Sequence, residues 1–321
     1  MKKILLFLIL SSTLISMVVA NGQSEAKPQT IVFADLSWDS AMVHNRIAAY
    51  IIENGLEGNY DTDFIASATI PTLLGMANGD IDVDMESYHS NFRDVYDEYI
   101  SSGEILDLGK NLPDAPQGWY VPRYVLEGDK ERGIEALAPN LKTTADLPEY
   151  WKVFSDPEDP EKGLIYLGIS GWTITEQNVA DFEEKGLDQY YNKGIPGSSA
   201  AVAATMEAAY RKGEGWIGYW WEPTSIMERL DMVMIPDTRF APADVNILVN
   251  SDLTESAPDI VEFLKKYGTT VADNNEFLAK MEELDTDAQG AAEWFLINKE
   301  NIWTQWVDKT VADRVRKALN S

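Results

Sequence analysis

Apolar and polar positions alternate between two rhythms along the chain. Residues 30–36 form a short apolar run, the pattern of a buried strand. Asp39 or Ser40 can cap the segment that follows, where Met42, Ile47, Ile51 and Leu56 keep helical spacing until Gly55 or Gly58 ends it. Residues 61–66 read as a strand, 70–78 as a short helix opened by Thr69-Ile70-Pro71, 81–86 as a strand after Gly79-Asp80, and 91–101 as a helix. This β-α-β-α-β order predicts an α/β lobe with a mostly parallel sheet.

Pro113, Pro116 and Gly118 interrupt the pattern. A second α/β set follows, with strands at 119–126, 164–169 and 216–221 and helices at 175–185 and 198–212. Pro236 and Pro242 bracket another break before a strand at 245–250. Only helical patterns come after it, at 258–268, 274–284, 287–296 and 298–319. An all-helical tail cannot build a third sheet, so it is expected to return and cover the first lobe. The expectation is a two-lobe α/β protein with two crossovers: residues 30–115 plus 243–321 in lobe 1, and 116–242 in lobe 2.

The first residues change where this protein is expected to work. Lys2 and Lys3 precede a 17-residue stretch of apolar and small residues, 4–20, ending in Val18-Val19-Ala20. That is the layout of a cleaved secretory signal peptide, with 21–29 as a disordered lead-in. Cysteine is absent, which closes the lipoprotein route, disulfides and thiolate metal sites. A freely diffusing periplasmic monomer is expected. The chain carries a net charge of −27, and removing Lys2 and Lys3 with the signal takes it to −29. Nucleic acid is therefore excluded as a partner, because its phosphates need a basic surface.

Ten tryptophans and fourteen tyrosines carry the chemistry. Several fall at the carboxyl ends of predicted strands, where α/β sheets place ligands. Trp38 follows the first strand and Tyr88 the third; Trp172 follows the strand at 164–169; Trp221 ends the one starting at Trp216. Trp220 alternates with Trp221 and should face the core. Trp119 and Tyr120 start a strand at the inferred hinge, and one of them is expected to face the ligand. A trimethylammonium group explains such a set. It has no N–H to donate, and its diffuse charge is attracted to ring faces at about 0.5–2 kcal/mol per ring.

Leu36-Ser37-Trp38-Asp39-Ser40, Gly79-Asp80-Ile81-Asp82 and Gly218-Tyr219-Trp220-Trp221-Glu222-Pro223-Thr224 together resemble the glycine betaine/proline betaine-binding proteins of ABC transporters. Choline-binding relatives share the pattern, and the match runs through essentially the whole mature chain. The resemblance implies a type II periplasmic binding protein that closes like a flytrap on its ligand, and delivery to a membrane permease. It places cage residues at Tyr88, Trp172 and Trp221, with Trp38 and either Tyr120 or Trp119 matching the choline-binding branch. Two departures bear on the ligand. Tyrosine stands at 88 where the family has tryptophan, and Glu222 and Thr224 stand where many relatives have Thr and then His or Tyr. Asp39 or Glu222 beside the pocket would favour a net cation such as choline over a zwitterion. Gly171 is expected to turn the chain so that Trp172 is presented, and its N–H, or Thr173, could bind a carboxylate.

Other readings compete. Carnitine and trimethylamine N-oxide fit the same rings. A carbohydrate binder would stack aromatics on sugar faces, and a glycosidase would add paired acids. No cysteine or triad constellation and no phosphate loop is available, so no enzyme, metal or cofactor is expected. The alternating Asp82, Asp84 and Glu86 read as the exposed face of a strand.

Overall fold

The computed structural model describes residues 27–236 and 242–321. The predicted signal segment, most of the lead-in and residues 237–241 of the second crossover lie outside the described residues. Gln29, assigned to the lead-in, already begins the first strand.

Two five-stranded sheets form the frame. The first takes β1 (Gln29–Asp35), β2 (Tyr60–Ala66), β3 (Val83–Ser87), β4 (Ile105–Ala115) and, from much later, β10 (Ala243–Asn250), in the order β2-β1-β3-β10-β4. The second takes β5 (Gln117–Pro122), β6 (Gly163–Tyr166), β7 (Tyr191–Gly194), β8 (Gly218–Trp221) and β9 (Met232–Met234), in the order β7-β6-β8-β5-β9. The chain thus passes between sheets twice, giving a two-lobe α/β fold.

The sheets are mixed rather than mostly parallel. β1 runs parallel to β2 and β3, while β10 is antiparallel to β3 and β4. In the second sheet β6 is parallel to β7 and β8, and β5 is antiparallel to β8 and β9. The antiparallel strands are those that carry the chain across. β4, β7 and β9 escape the sequence pattern: β4 carries Gly109, Pro113 and Asp114, and the other two are four and three residues long.

Helices α1 (Asp39–Gly55), α2 (Thr69–Asn78) and α3 (Arg93–Ser102) belong to the first lobe. α4 (Arg123–Glu127), α5 (Thr173–Glu184), α6 (Ser199–Lys212) and α7 (Ser225–Arg229) belong to the second. The tail forms α8 (Leu253–Ser256), α9 (Pro258–Leu264), α10 (Val271–Glu283), α11 (Ala288–Asn298), α12 (Glu300–Trp303) and α13 (Lys309–Leu319). It does return to the first lobe. Ile47, Ile51, Phe277, Phe295, Trp303 and Val315 share one buried core with Ile31, Phe33, Val83 and Met85. Burying each such side chain is worth about 1.5–3 kcal/mol, which outweighs the weak local propensity of the short α8 and α12. The second lobe has its own core around Trp119, Phe154, Phe182 and Met206.

The N-cap of α1 is Trp38, extended at φ −127°, and no side chain caps it. Asp39 and Ser40, predicted caps, are the first helical residues instead. That shift by one position leaves Trp38 at the mouth between β1 and α1. Ser198 does cap α6, its side chain accepting a bond from the Ala201 N–H.

Candidate functional site

Four aromatic rings from four strand ends meet between the lobes. Trp38 follows β1, Tyr88 follows β3, Trp172 lies just beyond β6 at the start of α5, and Trp221 is the last residue of β8. Their ring centroids run in a chain: Tyr88 to Trp38 at 6.1 Å, Trp38 to Trp172 at 6.2 Å, Trp172 to Trp221 at 4.9 Å. The interplanar angles are 79°, 86° and 85°, so each ring stands edge to face against the next. Such packing is favourable in itself and sets the rings as perpendicular walls. With Thr173, Ile174, Tyr219 and the strand β3 they line a cavity of roughly 520 Å³, its open mouth included.

Each ring is fixed locally. Gly171 adopts φ 94°, a left-handed conformation that glycine supplies without steric cost. The turn is closed by Thr175, whose hydroxyl donates to the Ile169 carbonyl at 2.7 Å and whose N–H donates to the Trp172 carbonyl at 3.1 Å. Trp221 is seated between Trp220, 4.7 Å away, and Tyr219, stacked at 6.4 Å. Gly218 lets β8 pass Tyr166, because a Cβ there would meet the Tyr166 carbonyl oxygen at 2.8 Å.

The floor of the cavity is acidic. Asp84 and Glu86 are 4% and 1% exposed. The sequence reading of an exposed strand face is therefore wrong, because β3 is an inner strand, flanked by β1 and β10 and roofed on this side by Trp38 and α1. The Trp38 Nε1–H donates to Glu86 Oε2 at 2.6 Å, and the Ser40 hydroxyl donates to the same oxygen at 3.0 Å. Glu86 Oε1 has no hydrogen-bond partner; His44 Nε2 stands 3.3 Å away. Burial pushes the Glu86 carboxyl up to about 8, with the Asp84 charge adding to the rise and the Trp38 and Ser40 bonds opposing it. Burial likewise pushes Asp84 up to about 7, against the bond it accepts from the Glu86 N–H.

His44 does not neutralise this pair. Asn274 spends its amide hydrogens on Thr269 Oγ1 and the Thr270 carbonyl, so its Oδ1 must accept, at 2.9 Å, from His44 Nε2–H. His44 Nδ1 then accepts from the Tyr267 hydroxyl at 2.6 Å. Burial lowers the imidazole to about 4, and it is neutral. Among the described residues, the cavity lining holds no lysine, arginine or histidine.

Of the predicted site residues, Trp38, Tyr88, Trp172, Thr173 and Trp221 come together. Six do not. Trp119 is fully buried in the second core, donating from Nε1 to Asn178 Oδ1 at 2.7 Å. Tyr120 is buried beside it and donates to Glu222 Oε1 at 3.4 Å, which accounts for both side chains. The strand begins at Gln117, two residues before the predicted start, and runs antiparallel to β8. Gln117 pairs with Trp221 and Trp119 with Tyr219, but the bond to Asn178 on α5 holds the Trp119 ring in the second core and out of the cavity lining. Thr224 Oγ1 accepts from Trp220 Nε1 at 2.8 Å, which holds that ring in the core. Asp39 is exposed on the first turn of α1, and Gly171 is an exposed turn residue that shapes the site without lining it. His89 stacks on Tyr96 at 4.7 Å and also stays outside.

The sequence reading missed Asp84, Glu86, Ser87, Asn91 and Tyr219. Tyr219 was accessible to it, since a residue two before Trp221 on a strand shares its face. Gln117 bonds both Tyr219, whose hydroxyl donates to Oε1 at 2.8 Å, and the Asn91 side-chain amide at 3.2 Å. With the Gln177 amide donating to the Asn91 carbonyl at 2.5 Å, these bonds join the lobes next to the cavity.

Residues 29–298 match the family model of the substrate binding domain of the ABC-type glycine betaine transport system. The trimethylamine N-oxide-binding protein of Pelagibacter ubique is 25% identical over 231 residues, covering 70% of this chain and 68% of that protein. Among solved structures, the glycine/betaine/L-proline-binding protein of a Borrelia burgdorferi ABC transporter superposes with a TM-score of 0.71 at 17% identity, covering 89% of this chain and all of that one. An ABC-transporter choline-binding protein in complex with choline also reaches 0.71 at 19% identity, covering 90% of this chain and 98% of that one. At these identities the structural likeness concerns the fold.

Proposed function

Since the chain belongs to the family of substrate-binding domains of ABC-type glycine betaine transport systems, we propose that it captures glycine betaine or a related quaternary-ammonium compound between Trp38, Tyr88, Trp172 and Trp221. It then delivers the ligand to a membrane permease. In this reading the chain is exported to the periplasm, loses residues 1–20 and acts as a monomer. Lobe 1 comprises 30–115 and 243–321, and lobe 2 comprises 116–242.

The observation that carries the proposal is the ring set itself. Two rings come from the first lobe and two from the second, all reaching one cavity. A trimethylammonium group among them gains about 0.5–2 kcal/mol from each ring it faces. Four rings give roughly 2–8 kcal/mol, against about 8 kcal/mol for a micromolar dissociation constant. Apolar contact and hydrogen bonds supply the remainder. The buried hydroxyls of Ser87, Tyr88 and Thr173 have no hydrogen-bond partner among the described residues and are available for the rest of the ligand. Because the ligand touches both lobes, it stabilises the closed arrangement by its differential affinity for it.

Titrating the purified protein with glycine betaine, choline, carnitine and trimethylamine N-oxide tests this, followed by the fluorescence of the cavity tryptophans and by calorimetry. Saturable binding of at least one, in the micromolar range, is expected. Failure of all four, with a monosaccharide binding instead, would overturn the cage.

A further inference from the structure

The aromatic rings account for a trimethylammonium group but leave the acidic floor unused. Asp84 and Glu86 are a costly pair. Neither has a cationic neighbour among the described residues, and two carboxylates buried beside one another resist double ionisation. Among the described residues, the titratable groups around Glu86 are His44 on α1, Asp84 on β3, Tyr88 just after β3 and Tyr267 after α9, with Tyr219 on β8 beside Tyr88. His44 is neutral by its hydrogen bonds, and burial raises all three tyrosines, which stay neutral too. What the described residues offer Glu86 is two hydrogen-bond donors and no full positive charge. Ser87 is a second polar group free to meet a ligand: it lines the cavity at 2% exposure and its hydroxyl has no hydrogen-bond partner among the described residues.

We propose that Glu86, backed by Asp84, is the counter-ion for a ligand with one net positive charge, and that the ligand enters in exchange for a proton held by the two carboxyls. The proposal rests on the aromatic-cage reading and narrows it. The cation arrives, the proton leaves to solvent, and the net charge of the cavity is unchanged. A quaternary ammonium alcohol of the choline type satisfies this, its hydroxyl meeting Ser87, Tyr88 or Thr173. A zwitterion satisfies it poorly, because its carboxylate would have to share the cavity with Asp84 and Glu86 and would find no basic side chain among the described lining residues. The acids expected from sequence to favour a cation, Asp39 and Glu222, lie outside the cavity, and β3 supplies them instead.

The sign of the pH dependence follows from which state holds more protons. The empty cavity holds the proton up to mildly alkaline pH and the cation-filled one does not, so a net cation binds more tightly as pH rises. Each proton released changes affinity about tenfold per pH unit over that window. An N-oxide or carboxylate oxygen would instead need a protonated Glu86 as donor and would bind more tightly as pH falls.

The test is calorimetry of the wild-type protein with choline and with glycine betaine at pH 6, 7, 8 and 9, each in two buffers of different ionisation enthalpy so that protons are counted. Choline is expected to release close to one proton at pH 6–7, to tighten several-fold to tenfold per unit towards pH 8, and to bind more tightly than glycine betaine. In Glu86→Gln the proton release should vanish and choline affinity should fall at least tenfold, a larger loss than glycine betaine suffers in the same variant. If that variant does not fold, the wild-type proton count decides alone. Glycine betaine tighter than choline, or choline binding without proton release, would overturn the counter-ion and leave the aromatic cage standing. Failure of every quaternary ammonium compound would remove the cage and this proposal together.

Discussion

Replacing Trp221 with alanine is expected to weaken binding of a quaternary-ammonium ligand by roughly tenfold to a few hundredfold, about 1.4–3.5 kcal/mol. The ring does two jobs. It offers a face to the cation, worth about 0.5–2 kcal/mol, and it holds Trp172 edge-on at 4.9 Å. Without it, Trp172 loses its wall and water enters beside the charge. Trp221→Phe keeps a smaller ring and should recover part of the loss. Calorimetry on the folded variants measures both, with thermal melts to confirm that each is folded. Unchanged affinity in Trp221→Ala would remove this residue from the cage.

Trp119→Ala should behave in the opposite way. This indole is fully buried, fills the second core and donates to Asn178. Its removal opens a large cavity and costs about 3–5 kcal/mol, and it deprives the Asn178 carbonyl oxygen of its donor. A fall in Tm on the order of 10 °C is expected. Ligand affinity of the fraction that remains folded should change less than about threefold, because the ring does not line the cavity. Unaltered melting together with weakened binding would place Trp119 against the ligand after all. Two tryptophans on neighbouring strands would thus separate into one that serves binding and one that serves stability.

Much of this division was legible from the chain. A ring placed after a predicted strand marked Trp38, Tyr88, Trp172 and Trp221, because strand ends are where a twisted α/β sheet leaves room for a ligand. Period-two alternation assigned Trp220 to the core, where Thr224 now anchors it. The same alternation misled at Asp84 and Glu86, while Asp82 stays half-exposed just before the strand. Alternation puts three acids on one face, but does not say whether that face meets water. Only the pairing of β3 with β1 and with β10, which returns from 160 residues later, encloses it. Trp119 and Tyr120 were misplaced for a related reason. The start of β5 was set two residues late, and the partners that hold these side chains, Asn178 for Trp119 and Glu222 for Tyr120, come from 59 and 102 positions further along the chain.

His44 shows how the site reaches into the helical tail. Tyr267 and Asn274 fix its tautomer from more than 220 positions away, and the imidazole in turn borders Glu86 at 3.3 Å. Helix α10 and the segment between α9 and α10 thereby set the environment of a residue on β3. On the sequence they read only as cover for the first lobe.

The most direct test of the central claim compares choline with 3,3-dimethylbutan-1-ol, which has the same shape with carbon in place of nitrogen and no charge. Both should be titrated calorimetrically under identical conditions. A cavity that holds its ligand by ring faces and a buried carboxylate predicts that choline binds at least a hundredfold more tightly. Equal affinities would mean that the cavity reads apolar shape alone, and would contradict the account.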